Sequence, residues 1–143
     1  MASKRCKYKG IVFASLAEAG YFIHLLDQEK KGLISDIELQ PSWELWASQI
    51  EDDGVDSATK IGKYTADFRY LDLERDEFTV IDVKGQVPGT RTLKNGTKRR
   101  TSGGQGWTAF RLRCKILEAN YGITVEVVPG AVYTELAKKA GVK

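Results

Sequence analysis

Three side chains near the middle of the chain have types and spacing suited to chemistry: Asp67, Asp82 and Lys84. Asp82 and Lys84 stand two apart in IDVKG, so on a strand they share a face. Asp67 lies upstream in KYTADFRY. The stretch Tyr64–Gly85 reads as a hairpin. Tyr, Phe, Thr, Val and Ile dominate both arms, and Asp72, Glu74, Arg75 and Asp76 punctuate them. A turn centred between Glu74 and Arg75 sets Asp67 opposite Asp82. The same register sets Ala66 opposite Val83, Phe68 opposite Ile81 and Tyr70 opposite Thr79. That gives one mostly apolar face and a second face bearing Asp67, Arg69, Asp82 and Lys84. Like charges opposed across a ladder repel. A cation is therefore expected between them, and the candidates are Lys84, Arg69 or a divalent metal. Two carboxylates with the backbone carbonyl of Val83 form a hard oxygen set that suits Mg²⁺ or Mn²⁺. Such a metal lowers the pKa of a bound water and neutralises charge on phosphate oxygens. A lysine beside it can hold the attacking water. The chemistry permitted is phosphodiester hydrolysis. The bland alternative is a solvated hairpin face with a surface ion pair.

These residues need a scaffold. Upstream, Ser15 to Lys31 reads as a helix. Ser15 is the N-cap, Glu18 completes a capping box, and Lys30, Lys31 and Gly32 mark the end. Leu16, Ala19, Ile23 and Leu26 give its apolar stripe. His24, the single histidine, sits mid-helix as a partly buried residue rather than a general base. LISDIELQ alternates as a strand, Pro41 interrupts it, and SWELWASQI reads as another. EDDGVDSATKIGK reads as a turn or loop. After the hairpin, QVPGTRTLKNGTKRRTSGGQGW is rich in Gly, Thr and basic residues. Asn95-Gly96 suits a small hairpin tip. The rest of this insertion, about 86–106, has too little apolar surface to bury and is expected to be a mobile loop. A second helix follows in TAFRLRCKILEANYG, with Thr108 as N-cap and a stop at Asn120 to Gly122. ITVEVV is a buried strand, and AVYTELAKKA after Pro129-Gly130 is a terminal helix. The order predicts a single α/β domain, 1–143, with a mixed sheet flanked by helices.

Length and composition agree with a soluble globular domain: 143 residues, 42% hydrophobic and 29% charged. No apolar run approaches membrane-spanning length and no signal peptide is visible, so a cytoplasmic location away from membranes is expected. Cys6 and Cys114 make no metal spacing and read as free thiols. Net charge is only +3, but its distribution is uneven. Lys4, Arg5, Lys7 and Lys9 crowd the start, and residues 83–117 carry many Lys and Arg and no Asp or Glu. Within the insertion, Arg91, Lys94, Lys98, Arg99 and Arg100 suit contact with phosphates rather than base reading. A merely solubilising insertion is the alternative. Arg111 and Lys115 share a face of the second helix and either track a DNA backbone or pair with acids. Trp43, Trp46 and Trp107 read as core or loop anchors.

The hairpin resembles the core of the PD-(D/E)XK nuclease superfamily, whose acidic residue followed by acidic-x-Lys appears as Asp67 and Asp82-Val83-Lys84. The chain is similar to a phage-encoded family of that superfamily, described as Holliday-junction resolvases. The stretches KYKG, FASLAEAGYF, ELQP, KYTADFRY, IDVKG, FRLRCKIL and YGI carry the resemblance in order, from Lys7 to about Val128. The tripeptide alone is weak; the ordered set is specific. The resemblance implies a restriction-endonuclease-like fold. It implies Asp67, Asp82 and Glu18 around the metal with Lys84 at the water, and Gln40 as a supporting residue. It also implies Mg²⁺ as cofactor, with Mn²⁺ as substitute, four-way DNA junctions as substrate and a homodimer. The basic insertion departs from the family, in which a shorter link is usual. A nuclease for other DNA, or a non-catalytic DNA-binding module of the same fold, are the alternatives.

Overall fold

The computed structural model describes residues 5–50, 54, 56–84, 90–92, 98–100 and 104–142. In chain order the elements are β1 (Cys6–Tyr8), β2 (Ile11–Phe13), α1 (Leu16–Lys30), β3 (Ile34–Leu39), β4 (Ser42–Ile50), β5 (Asp56–Thr65), β6 (Phe68–Asp72), β7 (Glu77–Lys84), β8 (Thr90–Thr92), β9 (Lys98–Arg100), α2 (Gly104–Tyr121), β10 (Val125–Pro129) and α3 (Ala131–Lys139). The chain divides into two compact units. The first takes 1–40, 66–87 and 125–143; the second takes 41–65 and 88–124.

The first unit is built on a mixed four-stranded sheet in the order β10-β7-β6-β3. β7 runs antiparallel to β6 and parallel to β10, and β6 runs antiparallel to β3. A mixed sheet with α-helices is consistent with a restriction-endonuclease-like α/β core. The β6–β7 hairpin has the register that alternation predicts: Phe68 opposes Ile81, Tyr70 opposes Thr79, and Asp72 opposes Glu77 at the turn. Phe68, Ile81, Val83 and Ala66 are all buried. The expected first arm, however, is not one continuous strand. The chain leaves the ladder at Ala66 and Asp67, which separate β5 from β6. The cause is local: the Asp67 carboxylate, rather than its backbone, takes the Val83 N–H at 2.7 Å.

Ser15 caps α1, its hydroxyl accepting the Glu18 N–H at 3.2 Å. The buried residues of α1 are Ala17, Ala19, Gly20, Tyr21, Phe22 and Leu25; of the expected stripe only Ala19 is among them, while Leu16, Ile23 and Leu26 are partly buried against the core. The helix is covered on two sides. Phe22 stacks on Phe68 of the sheet at 6.4 Å, and Tyr21 meets Tyr133 of α3 edge-on at 4.8 Å. Gly20 is what permits the second contact, since a Cβ built there would lie 1.7 Å from the Tyr133 carbonyl oxygen. β1 and β2 form a hairpin that the sequence reading lacks. Lys9 and Gly10 turn it with φ of 49° and 80°, the left-handed pair that a two-residue turn requires. Its arms are three residues each, too short to register as periodic.

The second unit pairs β4 with β5 antiparallel, from Ser42 opposite Thr65 to Ile50 opposite Asp56. β5 corrects the loop expected over this stretch. Ser57, Ala58, Thr59 and Gly62 supply little apolar signal, so pairing with β4 rather than burial defines the strand. The C-terminal end of α2 grips β4. The Asn120 amide accepts from the Trp46 N–H at 2.7 Å and donates to the Trp46 carbonyl at 3.0 Å, and the Tyr121 hydroxyl donates to the Glu44 carbonyl at 2.7 Å. Trp43 stacks on Tyr64, and Trp107 packs on Phe110, as anchors should. α2 begins at Gly104, one turn earlier than a Thr108 cap predicts. Within the insertion, β8 and β9 pair antiparallel, Thr90 opposite Arg100 and Thr92 opposite Lys98. The Asn95-Gly96 tip lies outside the described residues. Cys6 and Cys114 are not bridged.

Candidate active site

Four short pieces of the first unit meet at one place. The N-terminal turn of α1 supplies Glu18, the end of β3 supplies Gln40, the break before β6 supplies Asp67, and β7 supplies Asp82, Val83 and Lys84. Glu18, Gln40 and Asp67 line a recess of about 120 Å³ with Ile11, Val12, Phe13, Leu39 and Phe68. That is room for a few ordered water molecules.

Asp67 is fixed from three directions. Its backbone N–H donates to the Ile81 carbonyl at 3.1 Å and its carbonyl accepts the Gln40 N–H at 3.0 Å. Its carboxylate accepts the Val83 N–H. Gln40 makes its bond at a cost, with φ of 51° and a proline behind it. A non-glycine residue in the left-handed region is disfavoured by about 1 kcal/mol, and a following proline disfavours it further. Such strain gathers where geometry matters more than stability.

Asp82 is only 4% exposed, which speaks against the alternative of a solvated hairpin face. Arg69 does not reach the carboxylates as expected. It pairs with Glu38 at 3.3 Å and lies 3.7 Å above the Phe78 ring. Lys84 does reach them, its Nζ standing 3.8 Å from Asp82 Oδ1. Gly130 holds the backbone of Lys84, donating its N–H to the Lys84 carbonyl at 2.8 Å. A Cβ on Gly130 would lie 2.8 Å from the Ala17 Cβ. In sequence, Pro129-Gly130 looks only like a break. The signal that could have found Gly130 is a glycine following the strand that runs beside Lys84.

The carboxylates shape one another's protonation. Burial first, then the charges of Asp82 and Glu18, push the Asp67 carboxyl up to about 8. Burial also raises Glu18, the Asp82 charge adds to that, and the Ala14 backbone and Lys84 oppose it. Among the described residues, no three His, Cys, Asp or Glu side chains stand gathered closely enough to hold a metal ion. Like charges keep carboxylates apart unless a proton or cation lies between them. The donor set itself fits a hard divalent cation: acid oxygens, partly buried, with unfavourable mutual charge.

A pH dependence follows. An acid with a higher pKa folded than unfolded keeps its proton in the fold after the unfolded chain has lost it. Stability is therefore full below about 4, falls as pH rises toward about 8, and levels above that. Chelator-treated protein should lose roughly 5 °C or more of Tm across that window. Asp67→Asn should flatten the decline, which thermal melts at stepped pH measure.

The remaining expected cations belong to the second unit. Arg111 and Lys115 are exposed on α2 in the second unit. Arg91, Lys98, Arg99 and Arg100 fall on β8 and β9, but their side chains lie outside the described residues, as does the whole of Lys94.

Residues 1–102 match the model of a family described as protein of unknown function (DUF1064). The chain belongs to the DUF1064 family. The DUF1064 match contains Glu18, Gln40, Asp67, Asp82 and Lys84, and ends before Arg111 and Lys115. No curated protein and no solved structure matches this DUF1064 chain. No described helix is long and apolar enough to cross a membrane.

Proposed function

We propose that the chain is a divalent-metal-dependent endodeoxyribonuclease acting on branched DNA, most specifically a Holliday-junction resolvase of the PD-(D/E)XK superfamily. The observation that supports this best is the meeting of Asp67, Asp82 and Glu18, three carboxylates close enough to perturb one another, with Lys84 two residues beyond Asp82.

Asp67 and Asp82 would hold Mg²⁺, or Mn²⁺ in its place, with the Val83 carbonyl and Glu18 completing the set. When bound, the metal supplies a water of lowered pKa and charge neutralisation at the phosphate. The Lys84 ammonium, about a third exposed and tethered by Asp82, donates to the attacking water or to a phosphoryl oxygen. The Val83 N–H holds one Asp67 oxygen in place and leaves the other for the ligand set. Gln40 keeps the Asp67 backbone where this bond can form. Symmetric cuts in a four-way junction need two such sites, so the active species in this reading is a homodimer. The test is incubation with labelled four-way junction, duplex and single-stranded DNA, with and without Mg²⁺. Metal-dependent cutting of the junction supports the reading; no cutting of any DNA overturns it.

A second reading draws on the carboxylates not standing as a finished ligand set. A non-catalytic DNA-binding module with the same core would look this way. Calorimetric titration with Mg²⁺ and Mn²⁺ separates the two, because a binding module needs no divalent ion.

Glu18 gives a sharper forecast. Its carboxylate accepts a hydrogen bond from the Ala14 backbone and also faces Asp82 and Lys84. Gln keeps an acceptor and drops the charge. Glu18→Gln should melt within about 0.5 kcal/mol of the wild type. Its cleavage should fall about 10- to 100-fold at limiting Mg²⁺, as for a group beside a metal. Full activity at limiting Mg²⁺ removes Glu18 from the site.

A further inference from the structure

The N-terminal hairpin has two unlike faces. Cys6 and Phe13 oppose each other and are each 5% exposed, and the Tyr8 ring meets Phe22 edge-on at 6.4 Å. That face belongs to the core. Alternation turns Arg5 and Lys7 outward, and Lys9 stands at the turn; all three are exposed. Alternate residues on a strand lie about 6.8 Å apart, comparable to successive phosphates along one nucleic-acid strand. No acid occurs between Arg5 and Ala17. Six ion pairs occur among the described residues, and none uses Arg5, Lys7 or Lys9. Lys31, Arg75 and Lys138 on the same unit are by contrast each beside an acid.

The position of this row matters as much as its charge. Ile11, Val12 and Phe13 of β2 form a wall of the recess that holds Glu18, Gln40 and Asp67. Lys7 pairs with Val12 across the hairpin, so the cations begin one strand away from the carboxylates. A recess lined by acids repels a phosphodiester. An acid-free cationic row beside it offsets that repulsion and aligns the backbone.

We propose that the β1–β2 hairpin is a rail for a DNA sugar–phosphate backbone, gripping it through Arg5, Lys7 and Lys9 beside the recess. The rail deepens the nuclease reading and rests on it for the identity of the polyanion. Its contacts go to phosphates, so it positions the strand without reading sequence.

The test compares wild type with the triple variant Arg5→Ala, Lys7→Ala, Lys9→Ala. A control variant removes three charges elsewhere: Lys30→Ala, Lys31→Ala, Lys139→Ala. Circular dichroism melts confirm that each folds. Affinity for a fluorescent four-way junction is then titrated against salt, and cleavage is scored with Mg²⁺ and with Mn²⁺. Each lost phosphate contact takes about 0.9 from the slope of log affinity against log salt. The hairpin variant should lose up to about 2.7 of slope, and the control less than about 1. Lys7→Arg should keep the wild-type slope. An unchanged slope in the hairpin variant, with wild type cutting the junction, overturns the rail and leaves the nuclease reading standing. A hairpin-dependent slope with no cutting of any DNA supports the rail and overturns the nuclease reading. A wild type that binds no DNA overturns both.

Discussion

Asp82→Asn should lower junction cleavage by at least about a thousandfold while DNA binding survives. Loss of a carboxylate ligand removes several kcal/mol of transition-state stabilisation, and about 4 kcal/mol is three orders of magnitude. Stability should move the other way. Asp82 is buried, and its charge is among the causes that force the Asp67 carboxyl upward. An asparagine keeps the shape and an oxygen acceptor but removes that repulsion. Lys84 loses Asp82, yet it is about a third exposed and is not stranded in a dry interior. Replacing a buried charge is often neutral or stabilising when no partner is left buried alone. The variant should therefore melt at or above the wild-type temperature near pH 8. Single-turnover cleavage and a melt on the same preparation check both halves. Wild-type cleavage by this variant would mean that the proposed metal site is wrong.

Gly20→Ala should be the most damaging small substitution in the first unit. Two effects compete. Alanine in a helix interior is favoured over glycine by about 1 kcal/mol. Against this, the new Cβ would meet the Tyr133 carbonyl oxygen at 1.7 Å and its carbon at 2.5 Å. Those are backbone atoms and cannot swing aside, so α1 and α3 must separate. Overpacking of this kind costs about 3 kcal/mol or more, which outweighs the propensity gain. A Tm loss of roughly 10 °C is expected. Gly62→Ala is the control, because a Cβ there meets nothing within 4 Å. Equal melting of the two variants would show that α1 and α3 do not approach so closely at Gly20.

What could be read in advance was what depends on neighbours in sequence. Alternation of Phe68, Tyr70, Thr79 and Ile81 fixes which residues oppose, and the structure has those pairs. The Ser15 cap likewise needs only the residues that follow it. What escaped depends on distant partners. β5 is a strand because β4 lies beside it, although its own residues carry little apolar pattern. The burial of Asp82 could not be read, because period-two reasoning names a face without saying what covers it. Gly20 and Gly130 looked like ordinary small residues, since the atoms that forbid a side chain belong to Tyr133 and Ala17. Of the candidate site, Asp67, Asp82 and Lys84 stood out by spacing alone. Gln40 could not have been given a left-handed backbone, because Pro41 argues against it.

The bond between the Gln40 N–H and the Asp67 carbonyl has a bearing on how such chains diversify. It joins the points where the backbone leaves the site-bearing unit after Gln40 and re-enters it at Ala66, so Pro41 to Thr65 is a segment of the chain closed at its base. A segment whose two ends are pinned together is free to lengthen, because doubling a closed loop costs only about 0.6 kcal/mol. Insertions and deletions in that hairpin therefore leave the spacing of Gln40 to Asp67 untouched. Within a lineage, the length between these two residues should drift while the residues themselves hold still.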